Sequence, residues 1–207
     1  MIIDLNQLST RERYAWMIGT IIPRPIAFVS TISPEGVTNL APFSYFSGVS
    51  STPPILSVSV GPKRGGLQKD TCRNVEATEE LVVNVVTETI GQPMVKTSAN
   101  WPAEVSEFDV SGLTPVKSEV VAPPRVAESP ISFECRLAET VKVGKEGFET
   151  TIILAEVVLL HVADTVLTDG LPDAEKIRPL ARLGGGDLYA GLGPVLSIPR
   201  PETTDDK

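Results

Sequence analysis

The segment IAFVSTISPEGVTNL, residues 26–40, predicts an antiparallel β-hairpin. Residues 26–31 form an apolar run of strand length, and residues 37–40 form a shorter return run. Between them lies Ser33-Pro34-Glu35-Gly36, a combination of residue types that is typical of a turn. The hairpin therefore places two antiparallel strands side by side early in the chain.

Further strand signals dominate the rest of the sequence. They are the β-branched or alternating stretches at residues 55–60, 81–86, 131–137 and 150–162. Helix signals are short and begin at Ser9 (with capping-box spacing to Glu12), Asp70, Thr87 and Pro172-Asp173. This order lacks the regular alternation of strand and helix that builds a parallel sheet. A mainly β fold is expected, with a closed or nearly closed antiparallel barrel, because closure removes exposed strand edges.

Composition favours one globular domain. The chain has 207 residues, of which 42% are hydrophobic and 21% charged, close to the globular average. We expect a single domain over residues 1–198 and a disordered acidic tail over residues 199–207. Residues 100–130 contain five prolines and are expected to be a long surface excursion with one short strand.

Charge and cysteine content exclude several classes of function. The net charge is −8, and residues 1–103 carry 8 basic and 8 acidic side chains, so the second half holds the whole deficit. Without a basic face, no nucleic-acid partner is expected. A zinc site cannot be formed from Cys72, Cys135 and the single His161, so no metal is expected. Both cysteines are expected to be reduced residues of the core in a cytoplasmic protein. No apolar run reaches about 18 residues, so no membrane span is expected.

Two segments suit a flat, anionic ligand. Residues 39–47 combine hydroxyl and aromatic side chains that can hold a ring, although composition alone favours a serine-rich strand with core phenylalanines. Lys69-Asp70-Thr71 follows two glycines and would place a phosphate at a helix N-terminus, with Lys69 and Thr71 on the surface. The alternative is an ordinary capped surface helix.

The glycine-rich segment RLGGGDLY, residues 182–189, lacks the spacing of a dinucleotide-binding loop. Its glycines permit close approach to a ligand or another subunit, and a flexible turn explains them equally well. The sequence also lacks a Gly-x-Ser-x-Gly nucleophile elbow and a His-Glu-x-x-His motif. It therefore gives no sign of conventional hydrolase chemistry.

Six short motifs follow one another along most of the chain. They are PRPIAFVST (23–31), NLAPFSYF (39–46), PP (53–54), KDTCRN (69–74), PPRVAESP (123–130) and RPLARLGG (178–185). Each is weakly specific, but their shared order and spacing over about residues 13–189 make the sequence similar to the flavin reductase-like family. The resemblance implies an FMN-binding split β-barrel, a closed antiparallel barrel of Greek-key type with a few short helices.

The resemblance also implies function. It predicts a flavoredoxin-like homodimer that uses NADH or NADPH to reduce FMN and passes electrons to free flavin, a monooxygenase partner or another acceptor. A non-catalytic flavin-binding electron carrier or flavin storage protein is the alternative, and a pyridoxamine-phosphate oxidase-like enzyme on the same barrel is a weaker one. No residue is identified as catalytic, because the cofactors carry the reactive atoms.

The implied contacts fall into two sets. The cofactor-binding residues are Arg24, Ser30, Thr31, Asn39, Leu40, Ala41, Ser44, Phe46, Ser47, Lys69, Asp70 and Thr71. The residues expected on the nicotinamide or acceptor side are His161, Arg182 and Tyr189.

Overall fold

The computed structural model describes residues 1–63, 65–199 and 201. The strands, in chain order, are β1 (Ala27–Ile32), β2 (Thr38–Phe43), β3 (Phe46–Ser51), β4 (Pro54–Val60), β5 (Glu80–Val85), β6 (Pro115–Val116), β7 (Arg125–Val126), β8 (Ile131–Val143), β9 (Thr150–Val162), β10 (Leu167–Thr168), β11 (Leu171–Pro172), β12 (Ala181–Arg182) and β13 (Tyr189–Ala190). The helices are α1 (Thr10–Thr20), α2 (Asp70–Thr78), α3 (Gly91–Lys96), α4 (Glu107–Ser111) and α5 (Ala174–Ile177), with single 3₁₀ turns at Leu5–Gln7, Glu88–Ile90 and Asp164–Val166.

Seven strands form one antiparallel sheet in the order β2-β1-β5-β8-β9-β4-β3. The predicted hairpin is confirmed: β1 pairs with β2, and Thr31 lies opposite Asn39. The two end strands, β2 and β3, are joined by Ser44-Tyr45, but in the described part of the chain no ladder pairs them. The expected antiparallel sheet is therefore present, while its hydrogen-bonded pairing does not close into a ring.

The core lies on both faces of the central strands. Ala27 and Val29 of β1 pack into a cluster with Val58, Val75 of α2 and Ile153. The intervening Phe28 packs on the opposite face into a second cluster with Leu40, Met94 and Phe108. Because both faces of β1 are buried, its sequence is a continuous apolar run rather than an alternating one.

The capped helices begin close to their predicted positions. Ser9 caps α1, since its Oγ accepts the backbone N–H of Glu12 at 3.3 Å and Glu12 accepts the backbone N–H of Ser9 at 2.8 Å. Helix α2 begins at Asp70, but its N-cap is Lys69, and Asp70 does not act as the cap. The expected surface position of Thr71 is wrong, because this residue is only 1% exposed.

The remaining expectations have mixed outcomes. Cys72 and Cys135 are free and buried, as predicted. Residues 100–130 contain α4, β6 and β7 rather than one short strand. Most of the predicted tail lies outside the described residues. Within the described residues, no helix combines the length and the apolarity needed to cross a membrane.

Candidate functional site

Three clefts meet at residues 42–44, where β2 ends and turns toward β3. Pro42 lines all three. The first, which we call the helix-start cleft, has a volume of about 70 Å³ and is lined by Asn39, Lys69, Asp70, Thr71 and residues 97–101. The second, the aromatic cleft, has a volume of about 550 Å³ and is lined by Tyr14, Phe43, Tyr45, Lys69 and Phe148. The third, the Arg182 cleft, has a volume of about 160 Å³ and is lined by Ile26, Ser44, Met94, Arg182 and Tyr189. The end of β2 thus joins the polar helix-start cleft to the mainly apolar aromatic cleft and to the Arg182 cleft, whose lining mixes polar and aromatic side chains.

Two buried amide–hydroxyl contacts fix the start of α2 against the β1–β2 hairpin. Asn39 Nδ2 donates to Thr71 Oγ1 at 3.1 Å, and Asn74 Nδ2 donates to Thr31 Oγ1 at 3.0 Å. All four residues are buried. The first turn of α2 is therefore held in a set position beside the predicted ring-facing strand.

Lys69 lies at the junction of the helix-start cleft and the aromatic cleft. Its Nζ is 5.5 Å from the centre of the Phe43 ring, within the range of a cation–π contact. Burial is the main cause that lowers the pKa of Lys69, and the positive charge of Lys63 adds to it. An anion placed here would relieve part of that penalty on the ammonium group.

Two neighbouring cations balance the negative charge of Asp70. Lys63 Nζ lies 2.6 Å from Asp70 Oδ2, and Arg73 contacts the other carboxylate oxygen. Burial opposes ionisation of Asp70, but the hydrogen bonds and charges of Lys63 and Arg73 outweigh it and lower the pKa of this carboxyl. Among the described residues Lys69 has no such carboxylate partner, so it is the cation left to face a ligand.

Glu107 is a residue of this site that the sequence did not indicate. It is the first residue of α4, it is 7% exposed, and its Oε2 accepts the backbone N–H of Leu40 at 2.9 Å. It lines the helix-start cleft together with Asn39 and Asp70. No motif marks Glu107, because it is a single carboxylate in a segment predicted to be a surface excursion.

The other predicted cofactor contacts have different surroundings. Ala41 lines the helix-start cleft, while Leu40 and Phe46 pack into the core clusters. Ser30 Oγ donates to the carbonyl of Pro124, and Ser47 is exposed. The structure thus brings together Asn39, Ala41, Lys69, Asp70 and Thr71, with Ser44 in the neighbouring clefts. The flavin contacts of the remaining residues stay predictions.

The guanidinium group of Arg24 is hydrogen-bonded within the protein itself. Its Nη1 donates to the carbonyls of Ile18 at 2.5 Å and Ile21 at 2.7 Å, and its Nη2 donates to the carbonyl of Leu183 at 3.0 Å. Its Nε donates to Ser44 Oγ at 3.3 Å, and the residue is only 3% exposed. This geometry favours a structural role, in which Arg24 ties the end of α1 to residues 183 and 44.

The three residues expected on the donor side are not grouped together. Arg182 lies 4.6 Å from the centre of the Tyr189 ring, and both line the Arg182 cleft. His161 instead contacts Glu134, with 2.6 Å between Nε2 and Oε1. Glu134 is fully buried and also accepts the backbone N–H groups of Glu119 and Val120. The described contacts of His161 are therefore those of a partner to a buried carboxylate.

Comparison with known proteins identifies the family. The sequence model of the flavin reductase like domain matches residues 18–180. The chain belongs to this family. It is 40% identical to an uncharacterised protein of Halalkalibacterium halodurans over 100% of both chains.

Two solved structures are similar to this flavin reductase-like chain. Nitrilotriacetate monooxygenase component B from Bacillus cereus is 38% identical, with a TM-score of 0.92 over 96% of this chain and 98% of that chain. The 2-nitrobenzoate 2-nitroreductase of Pseudomonas fluorescens is 27% identical, with a TM-score of 0.87 over 97% and 96% of the two chains. The resemblance found in the sequence is thereby confirmed.

Proposed function

We propose that the protein binds FMN and reduces it with NADH or NADPH, passing the electrons to free flavin, a monooxygenase partner or another acceptor. The observation that carries this proposal is the meeting of three clefts at residues 42–44, with Lys69 at the edge of two of them. In a family of flavin reductases, this arrangement offers separate surroundings for a phosphate, a flat ring and a second ring.

The helix-start cleft fits the phosphate of FMN. Lys69 supplies a half-buried positive charge, and the positive end of the α2 dipole lies beside it. Among the described residues, no side chain caps the first turn of α2, so its backbone N–H groups are available as donors. Asp70 does not oppose the ligand strongly, because Lys63 and Arg73 balance its charge.

The neighbouring clefts fit the rings. Pro42, Phe43 and Ser44 line both the aromatic cleft and the Arg182 cleft, so the end of β2 can support a flavin ring on one side and face a nicotinamide on the other. Bound FMN would supply the ring that accepts hydride. The residues of the chain bind and orient: Lys69 holds the phosphate, residues 42–44 fix the ring, and Arg182 with Tyr189 supports the donor.

A homodimer in a reducing, cytoplasmic setting completes the proposal. Tyr14 of α1 lines the aromatic cleft but is 61% exposed, so a second subunit would cover it and enclose the ring. The two buried free cysteines suit a reducing compartment. The names of the two solved structures, a monooxygenase component and a nitroreductase, support both a protein acceptor and a small-molecule acceptor.

An anaerobic titration tests this function. The purified protein is loaded with FMN, and its visible absorption is followed as NADH or NADPH is added without oxygen. Bleaching of the flavin faster than free FMN under the same conditions supports a reductase. Bound flavin that dithionite bleaches but neither nicotinamide does would instead support the electron carrier or storage protein. Failure to bind FMN would contradict both.

A further inference from the structure

The helix-start cleft is small, and several charged side chains line it. Lys63, Lys69, Asp70 and Glu107 all line this space of about 70 Å³. Lys63 and Arg73 together occupy both oxygens of Asp70. This leaves one cation, Lys69, and one carboxylate, Glu107, and no ion pair joins these two in the described structure. A phosphate bound by Lys69 would therefore also face Glu107.

Glu107 is fixed in the cleft by the edge of the sheet. Its Oε2 accepts the backbone N–H of Leu40 at 2.9 Å, and the adjacent Ser106 Oγ lies 2.7 Å from Thr38 Oγ1. Helix α4 packs on β2 around these two contacts. Rotating the carboxyl away from a ligand would leave the buried N–H of Leu40 without its acceptor, at a cost in stability.

We propose that Glu107 belongs to the flavin phosphate site and takes up a proton when the phosphate binds beside Lys69. This inference rests on the proposed binding of FMN. The proton comes from solvent and adds to the carboxylate, so no other bond changes. Two like charges in one small, partly buried space repel, and a protonated Glu107 removes that repulsion and adds a donor.

The surroundings of Glu107 favour the uptake of a proton by its carboxylate. Burial is the main cause that raises its pKa even without a ligand, and the charge of Asp70 adds to it, while the Leu40 N–H and Lys63 oppose it. Lys69 lines the same cleft, and Arg73, Glu35 and Glu104 line the adjoining cleft of about 420 Å³ that Glu107 also borders. A bound phosphate adds negative charge to this set and so raises the pKa of Glu107 further.

Proton uptake by Glu107 makes FMN binding stronger at low pH. Because the pKa of Glu107 is higher in the complex than in the free protein, FMN affinity is greatest below the free value. It is lost as pH rises through the value in the complex, by at most about tenfold per pH unit for one proton. The phosphate of FMN itself titrates near pH 6, and a preference for the dianion would give the opposite slope. The test must therefore compare variants with the same ligand.

The test measures dissociation constants of FMN and riboflavin between about pH 5.5 and 8.5 for wild type, E107Q and a matched control, E104Q. The amide introduced by E107Q keeps a carbonyl acceptor for the Leu40 N–H, while Glu104 is an exposed carboxylate that lines only the adjoining cleft. We expect wild type and E104Q to lose about tenfold more FMN affinity across this range than E107Q. Riboflavin, which lacks the phosphate, should show no such difference.

Parallel pH profiles for wild type and E107Q would overturn the proposal. If thermal melting shows that E107Q does not fold, calorimetry of wild type in buffers of different ionisation enthalpy counts the protons at about pH 7.5, where free FMN is already mainly a dianion and the charge of Lys69 keeps the bound phosphate ionised. Net proton uptake with FMN but not with riboflavin supports the role of Glu107, and no uptake contradicts it. Binding of neither flavin would contradict the proposed function instead, so the two failures are distinguishable.

Discussion

At the scale of single residues, Lys69 and His161 show how local surroundings decide a role. Lys69 borders both the helix-start cleft and the aromatic cleft and has no carboxylate partner among the described residues, so its charge is available to a ligand. His161 is the single histidine, yet its ring is bound to the buried Glu134. The described contacts of His161 are therefore those of a hydrogen-bond network around a buried carboxylate.

Replacing Lys69 with alanine should weaken FMN binding by roughly tenfold at low salt, because one charge-assisted contact is lost. The difference from wild type should shrink as ionic strength rises, since a partly exposed charge is screened over ~8–10 Å. Fluorescence titration of FMN at low and high salt measures both effects. Lys142→Ala is the matched control, since this lysine borders a neighbouring cleft with Lys69 but not the helix-start cleft. Equal FMN affinity in wild type and Lys69→Ala at low salt would contradict the phosphate position.

Replacing His161 with alanine should lower the free energy of unfolding by about 1–3 kcal/mol, because buried Glu134 loses one of its partners. Hydrogen bonds from Glu119, Val120 and His161 outweigh burial and lower the pKa of Glu134 below its ordinary 4.5. The contribution of ionised Glu134 to the free energy of unfolding is therefore fully present above pH 4.5, and it is lost as pH falls through the pKa of Glu134 in the folded protein. Urea denaturation at neutral and acid pH measures it. A slower reduction by NADH with unchanged stability would instead place His161 on the donor side.

At the scale of elements, burial decided which parts of the fold could be predicted. Strands β1 and β5 carry apolar runs because most of their residues are buried, and β9 carries a long β-branched stretch in which buried and half-buried residues alternate at its start, so the positions of these strands are readable in the sequence. Strand β3 is mostly exposed and rich in serine and glycine, and composition did not separate it from a loop. The burial of Thr71 depends on Asn39, which is distant in sequence, so local signals could not reveal it.

The junction between the hairpin and α2 gives a prediction at this scale. Thr71→Val keeps the shape of the side chain but leaves the buried amide of Asn39 without its acceptor, so the free energy of unfolding should fall by about 1–3 kcal/mol. Thr71→Ser keeps the hydroxyl and should restore part of the loss. Urea denaturation of the free protein measures both variants. An unchanged stability in Thr71→Val would show that the contact with Asn39 does not hold the helix in place.

At the scale of the whole molecule, two sets of apolar side chains are exposed on the single chain. Helix α1 has no buried residue, and it exposes Tyr14, Trp16 and Met17. A second exposed apolar group follows β13, at Leu192, Val195, Leu196 and Ile198. Apolar side chains gathered in this way mark interaction surfaces. The sequence suggested assembly through the family resemblance and through the long excursion of residues 100–130 and the glycine-rich turn at residues 184–189, whereas the residues of α1 gave no such signal.

The homodimer is testable through α1. Trp16→Glu combined with Met17→Glu places two charges on the exposed face of the helix, so we expect a dimer of wild type by light scattering at micromolar concentration and a monomer of the variant. Leu171→Glu, on another exposed apolar side chain, is the control and should remain dimeric. FMN affinity should fall in the monomeric variant, because Tyr14 beside the aromatic cleft would lose its cover. A wild-type monomer that still binds FMN would contradict the shared site, and the aromatic cleft would then have to hold the ring with one subunit alone.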